Sequence, residues 1–287
     1  VKKGHSAFQH THLDRLLANL GVDQLLVTGG AVSGCVSDTV RMGGALGYES
    51  FVVTDALYPK DSPALGYLTF RAGFVSTADV LALDAGQPSA GAEPRSALLI
   101  VDMQNDFMQP DGAMQRDRYS SLSVAERDTI IANTRELIAE MRRRGEPVVF
   151  IRTLVRSDKR DSMEAPLGMR LRPTHGPTFE DGTWGAQLVD GLDPRPEDVI
   201  VTKKGHSAFG SAPLHRVLRN LGVKHCIVTG GAVTGCVSDT VREGVGLGYT
   251  MTIVSDATYP PNPSYLDVLK SRGRVCATAE LLSGVPA

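Results

Sequence analysis

Three side chains that stand far apart along this sequence, Asp102, Lys203 and Cys236, are of the types that together can open an acyl–nitrogen bond. In that chemistry a sulfur attacks the carbonyl carbon. A carboxylate takes the thiol proton and returns it to the leaving amine, and an ammonium stabilises charge beside both. Cys236 falls at the first turn of a predicted helix. That helix follows the apolar run Cys226–Val228 and a turn through Gly230 and Gly231, and continues from Gly235 with Val237, Val241 and Val245 on one face. Unsatisfied N–H groups and the positive end of a helix dipole at such a position are expected to favour a thiolate. N–H groups of the turn, with that of Cys236 itself, are candidates to hold a tetrahedral oxyanion. The glycine pair suits backbone that must approach a substrate closely. Each residue also has a plainer reading. An aspartate after a strand can cap a helix, a lysine is usually a solvated charge, and a free cysteine is usually a small apolar filler.

The elements that must position these residues follow from apolar periodicity. Ala97–Val101 reads as a central parallel strand covered on both faces, with Asp102 at its C-terminal end, where open α/β sheets bind ligands. Ser123 and Glu126 form a capping-box pattern, after which Ile130, Ile131, Thr134, Leu137, Ile138 and Met141 keep helical spacing up to Gly145. Val148–Ile151 is a second strand and Val199–Val201 a third, leading into Lys203. A helix around Leu214–Leu221 precedes the Cys236 strand and helix. Tyr249–Val254, ending just before Asp256, and Arg274–Ala277 are the fifth and sixth strands. This alternation predicts an α/β fold of three layers, a mostly parallel six-stranded sheet between helices. Residues 155–188 show no periodicity and carry Arg156, Arg160, Arg170, Arg172, His175 and Trp184. They read equally as a lid or binding wall and as a solvated excursion.

Residues 2–82 align without a gap onto 203–283, with a little over half of the positions identical. So long a period indicates duplication of a whole domain. Nothing repeats the region between Ser96 and Thr202, so residues 1–84 are expected to form the C-terminal half of one domain, 85–95 a Pro/Gly-rich linker, and 96–287 a complete second copy. Val1 aligns with Thr202 at a strand end, which leads us to expect an upstream portion. The first copy keeps Lys2 and Cys35 as a partial second site without its own aspartate. Three explanations compete: an upstream half completes it, it is a remnant covering an oligomer surface, or it borrows Asp102.

A 42% hydrophobic share, 22% charged residues and a formal charge of −2 give no basic excess for nucleic acid and no charged tail. No apolar stretch reaches membrane-spanning length, and four scattered cysteines make no disulfide framework. A cytoplasmic setting is the expectation.

Four motifs in register then carry a resemblance: Val101-Asp-Met-Gln-Asn-Asp-Phe107, Gly182-Thr-Trp-Gly-Ala186, Lys203-Lys-Gly-His-Ser-Ala-Phe209 and Thr229-Gly-Gly-Ala-Val-Thr-Gly-Cys236-Val. They resemble the isochorismatase-like cysteine hydrolase superfamily, which includes N-carbamoylsarcosine, ureidoacrylate and biuret amidohydrolases. The resemblance spans nearly all of 96–283 and, as a half, 1–82. It implies a Rossmann-like sheet, an Asp102–Lys203–Cys236 triad and a cis peptide at Gly231–Ala232. It also implies an oxyanion hole from the N–H groups of Ala232 and Cys236. Gln104, Phe107, Trp184 and Phe209 become pocket-wall candidates, and Arg152 or an arginine of 155–188 a candidate partner for a substrate carboxylate. Members of the superfamily that cleave a vinyl ether lack the cysteine, so Cys236 favours an amide or carbamoyl bond. Arg152-Thr-Leu-Val-Arg156 stands where relatives that bind a metal carry Asp-x-His; neither metal nor cofactor is expected. His206 replaces a common tyrosine and Ser238 a common arginine. The reading is a cysteine-dependent amidohydrolase of a small linear amide, ureido or carbamoyl substrate, as a homo-oligomer or tandem pseudo-dimer. The alternatives are hydrolysis of a larger natural-product amide, and a non-catalytic paralogue with an assembly role.

Overall fold

Apolar runs punctuated by glycine turns fold this chain into two separate parallel sheets. The computed structural model describes residues 2–82, 95–116, 122–158, 160–162 and 178–284, and divides into two units, 1–93 and 94–287.

In the first unit the order is α1 (Leu13–Asn19), β1 (Gln24–Gly30), a π-helical turn at Val32–Val36, α2 (Ser37–Ala45), β2 (Glu49–Tyr58), a 3-10 turn at Pro63–Leu68, β3 (Gly73–Val75) and α3 (Thr77–Ala82). The strands pair in parallel in the order β1-β2-β3. A small cluster of Val32, Val36, Val40, Val52, Leu57 and Leu68 is its core.

The second unit runs β4 (Arg95–Val101), α4 (Asn105–Met108), α5 (Ala113–Arg116), α6 (Val124–Arg143), β5 (Val148–Thr153), β6 (Val199–Lys203), α7 (Leu214–Asn220), β7 (Val223–Gly231), α8 (Cys236–Gly246), β8 (Thr250–Tyr259), α9 (Pro263–Leu269), β9 (Arg274–Cys276) and α10 (Thr278–Leu282). Its sheet is six-stranded, wholly parallel, and ordered β6-β5-β4-β7-β8-β9. Successive side chains of a strand point to opposite faces, and β4 shows the result. Ala97, Leu99 and Val101 pack with α7 and α8, whereas Leu98 and Ile100 pack with α6, and all five are buried. The chain winds outward from β4 in one direction and, after β6, from β7 in the other. The strand ends therefore open a crevice between β4 and β7.

Local signals fold as read. Ser123 and Glu126 close the capping box of α6, and Ile130, Thr134, Leu137, Ile138 and Met141 are its buried face. Strand lengths differ from the reading. β7 continues through Gly230 and Gly231, which pair with Thr258 and Tyr259, so the turn itself is Ala232–Gly235. β8 does not stop before Asp256. It breaks register after Ile253 and resumes at Thr258, while Asp256 accepts from the Thr278 N–H and hydroxyl at the start of α10 (both 2.8 Å). Among the described residues no helix is long and apolar enough to cross a membrane.

Candidate active site

Each of the three chemistry-bearing side chains is delivered by a strand end. Asp102 follows β4 directly and leaves it with a φ of 51°, in the left-handed region that aspartate tolerates better than most residues. Its N–H donates to the Ile151 carbonyl (2.8 Å), and its own carbonyl accepts from the Gln104 N–H (2.8 Å) and the Tyr259 hydroxyl (2.5 Å). Lys203 is the last residue of β6, paired with Thr153 at the end of β5. Cys236 opens α8 beyond the β7 turn. All three are buried.

The three meet. Lys203 Nζ lies 2.8 Å from Asp102 Oδ2 and donates to Cys236 Sγ (3.2 Å), Thr153 Oγ1 (2.8 Å) and the Gly205 carbonyl (2.9 Å). Thr153 Oγ1 in turn donates to Asp102 Oδ1 (2.9 Å). An ammonium has three protons, and Thr153, Gly205 and Cys236 take all of its aligned directions. Asp102 Oδ2 is left buried with no aligned hydrogen bond, facing Lys203 as a charge and available to accept a proton.

Burial pushes the Cys236 thiol up to about 12, and the neighbouring Asp102 carboxylate adds to this, while the Lys203 ammonium pulls the other way. The sequence expectation of a thiolate at the helix start is thereby reversed. A helix terminus contributes about 0.3–1 kcal/mol at an exposed position, less than the cost of desolvating a buried anion. For Lys203, burial works against the charge, but Asp102 and Cys236 outweigh it, so its pKa rises and the ammonium persists. Both raised values favour an ammonium on Lys203 and a protonated thiol on Cys236.

Close approach of backbone explains the glycines before the turn. A Cβ on Gly230, whose φ is 89°, would sit 2.0 Å from the Val101 carbonyl oxygen, and one on Gly231 would sit 2.5 Å from the Tyr259 ring. The Gly231–Ala232 peptide is cis. The Val233 N–H donates to the Tyr259 carbonyl (2.7 Å), and those of Gly235 and Val237 donate to the Ala232 carbonyl (3.0 and 3.1 Å). The N–H groups of Ala232 and Cys236 have no acceptor among the described residues.

The remaining sequence candidates are placed differently. Gln104 is fully buried, and its amide is consumed by backbone. Nε2 donates to the carbonyls of Thr153 (2.9 Å) and Ala186 (2.8 Å), and Oε1 accepts from the Thr153 N–H (2.7 Å). Phe107 stacks on Phe179 at 4.4 Å on the α6 side. Phe209 stacks on Tyr249 at 5.4 Å and packs in the cluster that also holds Cys236, with α7 and α8. Arg152 alternates with Thr153 along β5 and so projects from the opposite face, where its Nε donates to Thr202 Oγ1 (3.3 Å). The structure does not bring it to the triad. Trp184 is half exposed, and its carbonyl accepts from Asn105 (2.9 Å). His206 faces Asp239 at 3.4 Å, and Ser238 bonds Tyr265 and Arg242 (both 3.0 Å). Of the irregular segment 155–188, residues 159 and 163–177 lie outside the described residues, among them Arg170, Arg172 and His175. No cluster of His, Cys, Asp or Glu among the described residues would hold a metal. In the first unit Lys2 donates to the His5 carbonyl (2.8 Å) and holds the Cys35 thiol below its ordinary value, with no carboxylate of the Asp102 kind among the described residues.

Thr153 and Tyr259 are the residues the sequence reading passed over. Thr153 offered no signal beyond its place at a strand end, but the Tyr-Pro pair at Tyr259 repeats at Tyr58.

Comparison with known proteins gives three kinds of match. The sequence profile of the Isochorismatase domain matches residues 1–64 and 96–279. Ureidoacrylate amidohydrolase RutB of Cronobacter turicensis is 31% identical over 185 residues, covering 61% of this chain and 78% of that protein. An isochorismatase family protein from Desulfovibrio vulgaris superposes with a TM-score of 0.58 at 25% identity, covering 67% of this chain and 98% of its own. A cysteine hydrolase from Pseudomonas syringae does so with a TM-score of 0.55 at 26% identity, over 66% and 91%.

Proposed function

Because the chain belongs to the Isochorismatase domain family, we propose that it is an amidohydrolase cleaving the C–N bond of a small linear amide, ureido or carbamoyl compound through a thioester on Cys236. One observation carries the reading: a single buried ammonium, Lys203, contacts both the Asp102 carboxylate and the Cys236 sulfur, and Asp102 Oδ2 is left without an aligned donor. RutB, similar over most of its length, is named for the hydrolysis of a ureido compound.

The steps follow from that arrangement. As Sγ bonds to the substrate carbonyl carbon, its proton passes to Asp102, so the thiolate exists only within the reacting complex. The former carbonyl oxygen becomes anionic and is met by the backbone N–H groups of Ala232 and Cys236, which have no acceptor among the described residues. The C–N bond then breaks, and the amine leaves with the proton held by Asp102. Water attacks the thioester and gives a proton to Asp102, which returns it to the departing sulfur. For a ureido substrate the acyl group on sulfur is carbamoyl, and hydrolysis releases carbamate. A reducing compartment suits a thiol chemistry of this kind.

The test is product release from a panel of linear amides, ureides and carbamoyl compounds, with wild type compared with Cys236→Ala. The substitution should remove at least ~1000-fold of kcat, and wild type should show an acyl adduct on Cys236 by mass spectrometry. Turnover that survives the substitution refutes the covalent mechanism.

A further inference from the structure

Away from the crevice, a groove lies between the C-terminal half of α6 and the segment Gly191-Leu-Asp-Pro-Arg-Pro196, and encloses about 680 Å³. β5 begins just beyond α6, and β6 just beyond that segment. The groove therefore sits by the N-terminal ends of these strands, while Thr153 and Lys203 close their C-terminal ends. No step of the hydrolysis uses it. α6 contributes Arg135, Ile138, Ala139, Arg142 and Arg143, at spacings of three and four residues that put them on one face. Across from them Arg195 stands between Pro194 and Pro196. Four of the lining side chains are guanidiniums and one, Asp193, is a carboxylate.

The four guanidiniums are not equivalent. Arg142 builds the groove: its Nη2 donates to the Asp193 carbonyl (3.1 Å) and to the Asp198 carboxylate, which also accepts from the Arg195 N–H (2.8 Å). These bonds hold the segment against α6, so the groove is formed in advance of any ligand. Arg142 Nε is buried with no acceptor among the described residues. Arg143 gives Nε and Nη2 to Glu140 (2.7 and 2.6 Å). The other two are uncommitted. Arg135 lies along Gly191, where a Cβ would meet its side chain at 3.7 to 4.0 Å, and no hydrogen bond or ion pair occupies it among the described residues. Arg195 meets Glu197 only at 3.9 Å, between two exposed side chains. A contact of that kind is weak and readily exchanged.

We propose that this groove binds a small organic phosphate monoester, with its phosphate between Arg135 and Arg195 and its apolar body on Ile138, Ala139 and the two prolines. Planar guanidinium forks take phosphate or carboxylate oxygens in pairs. Two uncommitted forks, one on each wall, ask for more acceptors than the two oxygens of a single carboxylate. A phosphate monoester presents three, with a charge near −2 to match two arginines. The volume exceeds the needs of a bare phosphate and falls within the range of small-molecule sites. Prolines on either side of Arg195 stiffen its wall and reduce the ordering that binding would otherwise demand. The ligand is held and not turned over, so this site stands whether or not the triad is a hydrolase.

The test is isothermal titration of the full chain with phenyl phosphate, inorganic phosphate and benzoate. Phenyl phosphate should bind at one site per chain with a dissociation constant below about 1 mM. Inorganic phosphate, which lacks the body, and benzoate, which lacks the third oxygen, should each bind roughly tenfold more weakly or worse. Arg135→Ala and Arg195→Ala should each weaken phenyl phosphate roughly tenfold or more. Neither side chain ties elements of the fold together, so thermal unfolding of both variants without ligand should match wild type. Absence of saturable binding of phenyl phosphate overturns the proposal. So does binding that both arginine variants leave intact, because the ligand then sits elsewhere. Inorganic phosphate binding as tightly as phenyl phosphate removes the role of the apolar floor, and benzoate doing so removes the phosphate; either result overturns the assignment. Should one variant fail to fold, the other decides.

Discussion

Thr153 is the positioning residue whose loss should be most informative. Its hydroxyl accepts from Lys203 Nζ at 2.8 Å and donates to Asp102 Oδ1 at 2.9 Å, so it bridges the two charges without touching the reacting sulfur. Thr153→Val keeps the shape and deletes both bonds. Hydrogen bonds to charged groups are worth about 1.5–3 kcal/mol each. Two bonds sharing one hydroxyl are not additive, so one bond's worth is the fair expectation. At about 1.4 kcal/mol per factor of ten, that is a fall of roughly 10- to 100-fold in kcat. KM should move little, because the hydroxyl orients the carboxylate and does not bind substrate. Thr153→Ser, which restores the hydroxyl, should recover most of the loss. The assay is steady-state turnover of the best panel substrate for the three proteins, with thermal unfolding run beside it. If Thr153→Val keeps kcat within threefold of wild type, the bridge does not hold Asp102 for proton transfer. If Thr153→Ser is as impaired as Val, the effect is packing and the argument fails.

Further outcomes follow from the same network. In the free protein at neutral pH, iodoacetamide should modify Cys35 well before Cys236, since Cys35 lies below the usual thiol range through its hydrogen bond from Lys2 and Cys236 is pushed up to about 12 by burial; peptide mapping over time reads the order. Because the folded-state value of Cys236 lies above the ordinary 9.0, its contribution to stability is complete below pH 9 and is lost as the pH rises from 9 towards about 12. Cys236→Ser, which has no group titrating there, should flatten that part of a denaturation-versus-pH curve. Gly230→Ala should unfold or severely destabilise the second unit, since its new Cβ would lie 2.0 Å from a β4 carbonyl oxygen at a φ of 89°; circular dichroism on heating measures this. Arg152→Ala should leave KM within threefold of wild type, because Arg152 projects from the other face of β5.

What could be read from the sequence, and what could not, divides along physical lines. Ala97–Val101 reads as a central strand because five adjacent apolar residues suit a strand covered on both faces. Asp102 then had to stand at its end, and the internal repeat singled out the lysine and cysteine segments. The end of β7 is hidden in the sequence, because Gly230 and Gly231 have the composition of a turn. They are strand residues whose missing side chains let β4 and Tyr259 come close. The position of Arg152 follows from the two-residue alternation of β5, once the register with Lys203 is known. Phe209, a pocket-wall candidate by resemblance, packs in the core cluster that also contains Cys236, a placement that no periodicity in its motif announces. Thr153 could not be singled out, since a threonine in a strand needs no explanation beyond its β-propensity.

The two copies of one motif within this chain act as an internal control on how the cysteine is tuned. Cys35 and Cys236 each stand beside a lysine and ahead of the same Val-Ser-Asp-Thr-Val-Arg segment, although Cys35 lies within the π-helical turn Val32–Val36 and Cys236 opens α8. Their thiols nevertheless shift in opposite directions: Cys35 falls through its hydrogen bond from Lys2, while Cys236 rises through burial and the Asp102 carboxylate. The local motif in its more open setting therefore lowers the thiol's pKa. In the second unit β4 and β5 bury the sulfur and bring the Asp102 carboxyl group beside Lys203, and burial raises the thiol's pKa. Such a thiol is inert to adventitious electrophiles in the bulk. On the mechanism proposed above, it would become a nucleophile only with an acyl group in place and Asp102 taking its proton. Selectivity for a bound carbonyl over a passing alkylating agent would then belong to the covering strands and not to the cysteine-bearing turn.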